Sequence, residues 1–431
     1  MVSSQNEPQR RRLYVSSESI ADPTSLTLEQ DLESNLRLFS LLDQSTDQSP
    51  SPASASETLA ARTDLDKELH RMLSLRSQIS TSSSAAERHA KAQAEGKTAF
   101  RKIGAGACGS VFAQDGKSLV FKLAKSPDHT ELWNDYQMHE EIAREFHRYI
   151  IDEVRVPECY FFVPSDRESF WDKHPELLNA AKDVCNLPTA ALLTERIMPL
   201  PSTTRELLID KYCAPRIKDK ARADFANRDC LVRVYLGSTQ GKIGGKFFSL
   251  RNFKLHLNHM MDLELDTEAL ARRMGIALAV LHWGAKTDAR DVEFVLGSST
   301  KKGIAAKPIS AKDLKPCTYT GPPTDEIEDF FCRVTELFVL DFNQVRTITM
   351  DDEGVAMAVE AWRLNDPYYP KPLRQTAVER HVWNAFVISY LTASHEVMSL
   401  HGRQGMVLAL PRKFILGITE VERVKMISRK P

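Results

Sequence analysis

The chain has 431 residues, enough for two or three domain-sized units. Its 57 basic and 58 acidic residues give a formal net charge of -1, which excludes a global electrostatic footprint for nucleic acid. Seven scattered cysteines, none in a Cys-x-x-Cys pair, argue against a disulfide framework or a zinc cage and indicate a reducing compartment.

The N-terminal extension, residues 1–97, is rich in Ser, Gln, Thr, Ala and Asp, which predicts a mostly disordered segment. Apolar residues at helical spacing predict two helices inside it, Leu26–Leu42 and Leu59–Ile79. Each is either a helix resting on the folded domain, which we favour, or a docking helix for a partner.

Nothing in the sequence predicts contact with a membrane. The N-terminus lacks the apolar core of a secretory signal, and no run of about 18 apolar residues occurs. We therefore expect an intracellular protein, cytoplasmic or nuclear.

A glycine-rich stretch begins the predicted globular part. Glycines between two apolar runs let a backbone approach phosphate oxygens that side chains would block. Lys122, on the strand that follows, is placed to neutralise such phosphates. The motif reads Gly104-x-Gly106-x-x-Gly109-x-Val111.

Other interpretations of these glycines stay open. A dinucleotide-binding loop has the same spacing, but there the glycines begin a helix after a strand. Here Asp115-Gly116 separates two apolar runs, which indicates a hairpin. The glycines therefore lie in a strand–loop–strand, either the kinase arrangement or an ordinary hairpin.

The next segments predict a helix and two strands. The helix covers about 131–150, and its Glu140, Glu141 and Glu145 are candidate anions for a lysine that would otherwise be mobile. They are alternatively a solvated helix face. The strands cover 154–162 and 190–197, and the second breaks off after Glu195.

A strongly periodic helix, Thr267–Trp283, begins the second half of the pattern. Carboxylates follow at 288, 291 and 293, and then come a short apolar strand and a long loop, 298–324. A short helix is predicted over 326–333. The strand after it ends in Asp341-Phe342-Asn343, and two helices follow, over 355–364 and 376–398.

This order of motifs resembles the protein-kinase-like superfamily. The sequence around Leu281–Gly297 and Leu337–Arg346 resembles that of a fungal family of uncharacterised kinase-like proteins. The domain of that family has no known function and is sometimes labelled zinc finger protein. The resemblance implies an α+β, bilobal protein-kinase-like fold. Its small antiparallel β lobe would cover 98–196, and a larger, mainly helical lobe would cover 197–431.

The resemblance also implies roles for residues in a nucleotide site. Lys122, paired with Glu141, would contact the phosphates, and Asp288 would be the general base. Asp341 and Glu293 would hold Mg²⁺, because a hard ion prefers carboxylate oxygen. The implied nucleotide-binding residues are Gly104, Gly106, Gly109, Val111, Val120 and the hinge residue Glu195.

Departures from the kinase pattern leave two functions open. The His-Arg before the general base is replaced by Lys286-Thr287, the metal-binding Asn by Glu293, and a small alanine by Val120, while no Ala-Pro-Glu follows Asp341. These changes favour a degenerate kinase, a regulatory or binding module that retains ATP and Mg²⁺. The alternative is an ATP- and Mg²⁺-dependent phosphotransferase for a small-molecule hydroxyl.

Overall fold

A computed structural model describes residues 63–80, 99–304 (except 107, 116 and 127), 326–400 and 405–428. The chain is a mixed α+β protein with two five-stranded sheets among these residues. The predicted helix over 26–42 and most of the predicted loop over 298–324 lie outside the described residues.

The first sheet is antiparallel throughout, with strand order β2-β3-β4-β6-β5. Its β2–β3 hairpin carries the glycine motif, so these glycines do not begin a helix. The strands are β2 (Phe100–Ala105), β3 (Gly109–Gln114), β4 (Leu119–Ala124), β5 (Cys159–Val163) and β6 (Ala191–Glu195).

Helices cover both faces of this sheet. A buried cluster that includes Phe112 and Leu123 packs against the two short helices, while Leu132 of the long helix packs against Ala190 and Leu192 on the other face. The helices are α2 (Thr130–Arg148), α3 (Glu168–Lys173) and α4 (Pro175–Ala181).

The second sheet has strand order β1-β10-β9-β7-β8 and is antiparallel except for the parallel pair β7–β8. Residues 326–333, predicted as a helix, are part of β10 instead, because they pair with β9 across the hairpin. The strands are β1 (Gln78–Ser80), β7 (Val232–Tyr235), β8 (Phe253–His256), β9 (Glu293–Ile304) and β10 (Glu326–Leu340).

Most of the apolar core lies among the helices that follow the first sheet along the chain. Gly275 of α8 approaches the backbone of α10 so closely that a Cβ would lie 2.6 Å from the Phe386 carbonyl oxygen. A turn of π-helix, Val280–Gly284, follows α8. The helices are α5 (Ser202–Tyr212), α6 (Lys218–Ala223), α7 (Leu257–Asp262), α8 (Thr267–Ala279), α9 (Asp352–Leu364), α10 (Ala377–Leu400) and α11 (Leu410–Ile427).

Part of the N-terminal extension belongs to this core. Helix α1 (Asp64–Leu73) buries Leu69, Met72 and Leu73, and the Thr335 hydroxyl donates to the Met72 carbonyl. The predicted helix over 59–79 is therefore shorter, and β1 at its end pairs with β10. The helix rests on the folded chain. None of the described helices is both long and apolar enough to cross a bilayer.

Candidate functional site

A cavity of about 400 Å³ lies between the two sheets. The glycine hairpin covers it, and Lys122 and Asp341 lie at its wall. Its apolar wall includes Val111, Val120 and Leu340. All the residues predicted to bind nucleotide line it except Gly109. The volume falls in the range of small-molecule sites.

The three glycines of the motif differ in how much space a side chain would have at their positions. Gly109 is buried and pairs with Ala124 on β4; a Cβ there would meet the Leu123 carbonyl oxygen at 2.9 Å. A Cβ on Gly104 would touch only the Val111 side chain, and a Cβ on Gly106 would meet nothing within 4 Å. Gly109 is therefore needed for sheet packing, whereas Gly106 lines the cavity without a packing requirement of this kind.

Lys122 is held between two carboxylates. Its Nζ lies 2.7 Å from Oδ2 of Asp135 and 2.9 Å from Oδ1 of Asp341. Burial opposes the charged form, but the carboxylates outweigh it and hold the pKa of Lys122 well above its usual value. The ammonium is therefore fixed and charged at the wall of the cavity.

The predicted partner of this lysine, Glu141, is the wrong residue. Glu141 is on the outer face of α2 and pairs with Arg144. Asp135 replaces it because the inner face of α2 is formed by Leu132, Asp135, His139 and Ile142, at helical spacing. This periodicity was the sequence signal that could have identified Asp135.

Asp135 also holds the Asp-Phe-Asn segment. Its Oδ1 accepts a hydrogen bond of 3.1 Å from the backbone N–H of Phe342, whose buried ring packs against His139 at 5.0 Å between centroids. Asp341 itself has a left-handed backbone, with φ of 68°. One buried carboxylate therefore fixes both the lysine and the residues around Asp341.

Asp288 does not line the cavity. Its side chain is fully buried and accepts hydrogen bonds from the backbone N–H groups of Arg290 and Arg346 and from Nε of Arg346, at 2.6 Å. A carboxylate saturated in this way is not placed to accept a substrate proton. The predicted general-base position is therefore a structural anchor for the loop.

Asp291, three residues later, lines the cavity. Burial and then the nearby Asp341 raise its pKa. Its carboxylate accepts a hydrogen bond from Gln344, and Asn365 holds the loop through the Asp291 N–H and the Ala289 carbonyl.

Left-handed backbone conformations concentrate in this loop. Lys286, Ala289 and Asp291 have φ between 53° and 61°. Such conformations cost non-glycine residues on the order of 1–3 kcal/mol each and often occur at functional sites.

Two of the predicted site residues, Glu293 and Glu195, form ion pairs with arginines. Glu293 forms an ion pair of 2.5 Å with Nη2 of Arg233. The Glu195 carboxylate accepts from Arg155 and from the Glu158 N–H, and the Glu195 N–H donates to the Glu158 carbonyl oxygen at 2.8 Å. Glu293 would have to leave Arg233, or share it, to bind Mg²⁺.

The residues that would hold a divalent cation are Asp341, Asp291 and Glu293, which all line the cavity. Burial raises the pKa of Asp291 and of Glu293, and the charge of Asp341 adds to this rise. The described residues contain one tighter group of potential ligands, Cys108, Asp135 and Asp341. There the Lys122 ammonium already bonds both carboxylates.

The stability of the protein is expected to depend on pH through Glu293. Burial, opposed by Arg233 and reinforced by Asp341 and Asp291, raises its pKa from 4.5 to about 7. The folded state therefore binds more protons than the unfolded state between these values, and stability falls as the pH rises.

We expect the free energy of unfolding of the wild type, relative to Glu293→Gln, to fall by roughly 2–3 kcal/mol from pH 5 to pH 8. Urea unfolding across this range measures it. A difference that does not change with pH would contradict the raised pKa.

Comparison with known protein families matches the C-terminal part of the chain. Residues 337–401 are similar to a family whose domain has no assigned function and whose description is zinc finger protein. No curated protein and no solved structure matches the chain. The matched segment contains Asp341, Arg346 and Asn365 but no cysteine, so it offers no thiolate ligand for zinc.

Proposed function

We propose that the chain has a bilobal protein-kinase-like fold whose cleft binds a nucleoside triphosphate with Mg²⁺, and that it is a regulatory or binding module derived from a kinase. The observation that carries this proposal is the Lys122 ammonium, held between Asp135 and Asp341 under a glycine hairpin. A preorganised cation at that place suits phosphate oxygens.

The parts of the cavity suit different parts of a nucleotide. Val111, Val120 and Leu340 offer an apolar wall for a base, and Gly106 leaves room for a backbone approach to phosphate. Asp341 and Asp291 would provide oxygen ligands for the metal.

The test is isothermal titration of the full chain with a non-hydrolysable ATP analogue, with and without Mg²⁺. We expect Lys122→Met to weaken binding roughly 10- to 100-fold, because it removes a charged hydrogen-bond donor. Glu141→Gln is the matched control on the outer face of α2, and it should bind as the wild type does. If the wild type takes up no nucleotide at millimolar concentration, the proposal is wrong.

A second function, phosphoryl transfer to a small-molecule hydroxyl, is favoured by Asp291. Asp291 faces the cavity with a raised pKa, as a general base should, whereas Asp288 does not line it. The engagement of Glu293 by Arg233 supports the module without turnover.

Two asparagine substitutions test the second function. Asp291→Asn is expected to leave the melting temperature nearly unchanged and to abolish any ATP turnover. Asp288→Asn is expected to lower stability by about 1–3 kcal/mol, because partly buried donors of Arg346 and Arg290 lose a charged acceptor. The measurements are thermal melting and phosphate release; turnover that survives in Asp291→Asn would exclude this role.

A further inference from the structure

Arg251 differs from the other cations of the cavity. It lies just before β8, whose Phe253 pairs in parallel with Val232, and it lines the cavity on the side of the second sheet. Its Nε is shielded from solvent and has no hydrogen-bond partner among the described residues, as is also true of Arg196 Nε, but Arg251 alone of the two has no carboxylate partner among those residues.

The neighbouring cations all have carboxylate partners. Lys122 is bound by Asp135 and Asp341, Arg233 by Glu293, and Arg196 lies 3.5 Å from Asp229. A buried donor without an acceptor costs on the order of 1–3 kcal/mol, and more for a charged group. Native proteins rarely keep one without a function.

The acidic side chains on this wall are already engaged. Asp229 accepts two hydrogen bonds from Arg101, at 2.5 and 2.8 Å, and also lies close to Arg196. Glu293 is held by Arg233 at 2.5 Å. Among the described residues no carboxylate pairs with Arg251, although its side chain is only partly buried and lines the cavity, which leaves its guanidinium available to an external anion.

We infer that Arg251 is an anion-binding residue and that the ligand of the cleft carries a phosphate or carboxylate group in addition to the phosphates at Lys122. A guanidinium matches the planar oxygen pair of such groups better than an ammonium does. The exposed Asn252 lines the cavity beside it and offers an amide as a further partner.

This inference rests on the proposed function, because it assigns the triphosphate to Lys122. The additional anion has two sources with the same chemistry. It is either a further phosphate on the nucleotide itself, such as one on the ribose, or the anionic group of a separate small molecule bound beside the nucleotide.

The experiment compares the full-length wild type, Arg251→Gln and Arg216→Gln, an exposed arginine outside the cavity, which serves as the control. The first arm titrates AMP and adenosine 3′,5′-bisphosphate. The second arm titrates inorganic phosphate into protein that is free or saturated with the ATP analogue.

We expect Arg251→Gln to weaken at least one anion about 10-fold while AMP binding stays within twofold. Loss for the bisphosphate alone assigns the anion to the nucleotide, and loss for inorganic phosphate assigns it to a separate molecule. Equal affinities of wild type and Arg251→Gln for both probes would overturn the inference.

Thermal melting of Arg251→Gln without ligand gives a second, independent readout. Because Nε has no partner, we expect the melting temperature to stay the same or rise. A fall of more than about 5 °C would mean that Arg251 has an internal role instead, and the inference would fail.

The two proposals fail in different ways. Nucleotide binding that depends on Lys122 but not on Arg251 refutes only the anion site. Arg251-dependent binding of inorganic phosphate to a protein that binds no AMP or ATP analogue refutes only the nucleotide proposal.

Discussion

Replacing Asp135 by alanine is expected to lower the free energy of unfolding by about 3–5 kcal/mol. The substitution removes the acceptor of the buried Lys122 ammonium at 2.7 Å and of the Phe342 N–H at 3.1 Å. Lys122 keeps Asp341, but that carboxylate is more exposed than Asp135. Urea unfolding of both proteins measures the difference.

Glu141→Gln is the matched control, since it lies on the same helix and was the partner predicted from sequence. Its carboxylate is exposed and pairs only within the helix surface with Arg144, so we expect a change below about 0.5 kcal/mol. Equal losses in the free energy of unfolding in the two variants would contradict the role of Asp135 as the buried acceptor for Lys122 and Phe342.

Asp135→Ala should also weaken binding of the ATP analogue. The Phe342 N–H and the Lys122 ammonium would both lose their common acceptor, so Asp341 would lose its fixed position relative to the lysine. A variant that unfolds at assay temperature can be replaced by Asp135→Asn, which keeps an oxygen acceptor for the Phe342 N–H. We expect the Asp135→Asn variant to be more stable than Asp135→Ala but to bind the ATP analogue no more tightly than Asp135→Ala does.

The local structures around Lys122 and Asp341 were predictable from sequence, because Lys122 lies in a patterned strand and Asp341 directly follows one, whereas their meeting was implied only by the resemblance to the protein-kinase-like superfamily. The Asp-Gly pair after β3 and the apolar run before Asp341 place each residue in a local structure that tertiary contacts do not change. The glycine hairpin followed from the same local signals.

The general-base position could not be predicted, because spacing alone does not reveal backbone handedness. Counting back from Glu293 selects Asp288, but the left-handed conformations of Ala289 and Asp291 place Asp291 at the cavity wall instead. No residue in that loop is a glycine that would have marked the turn. Asp288 is held by Arg346, 58 residues away along the chain.

Residues 326–333 show that secondary structure also depends on contacts that the local sequence does not reveal. Its charged residues suit an exposed helix, but pairing with β9 across the hairpin makes it a strand. Strand formation depends on the partner more than on local propensity.

Replacing Asp229 by alanine is the other substitution with a large expected effect. Asp229 accepts two hydrogen bonds from Arg101 of β2, lies close to Arg196 after β6, and is nearly buried itself. Its removal leaves the Arg196 guanidinium without its carboxylate and leaves Arg101 with only the longer contact to Asp115. We expect a loss of about 3–5 kcal/mol in the free energy of unfolding.

Asp115→Ala is the control for this prediction, because Asp115 contacts the same Arg101 through a single ion pair of 3.3 Å and is 24% exposed. A partly exposed pair contributes about 0–1 kcal/mol, so the control should lose no more than that. Similar losses in Asp229→Ala and Asp115→Ala would contradict the assigned role.

The double variant Arg101→Leu with Asp229→Ala separates the cost of an unpaired charge from the worth of the pair. Because an apolar replacement of a buried ion pair is often close to neutral, we expect the double variant to be more stable than Asp229→Ala alone. Arg101 is on the glycine strand and Asp229 precedes β7, so this pair links the two sheets. Recovery of stability without recovery of nucleotide binding would therefore show that the pair acts on the position of the glycine hairpin and not only on folding.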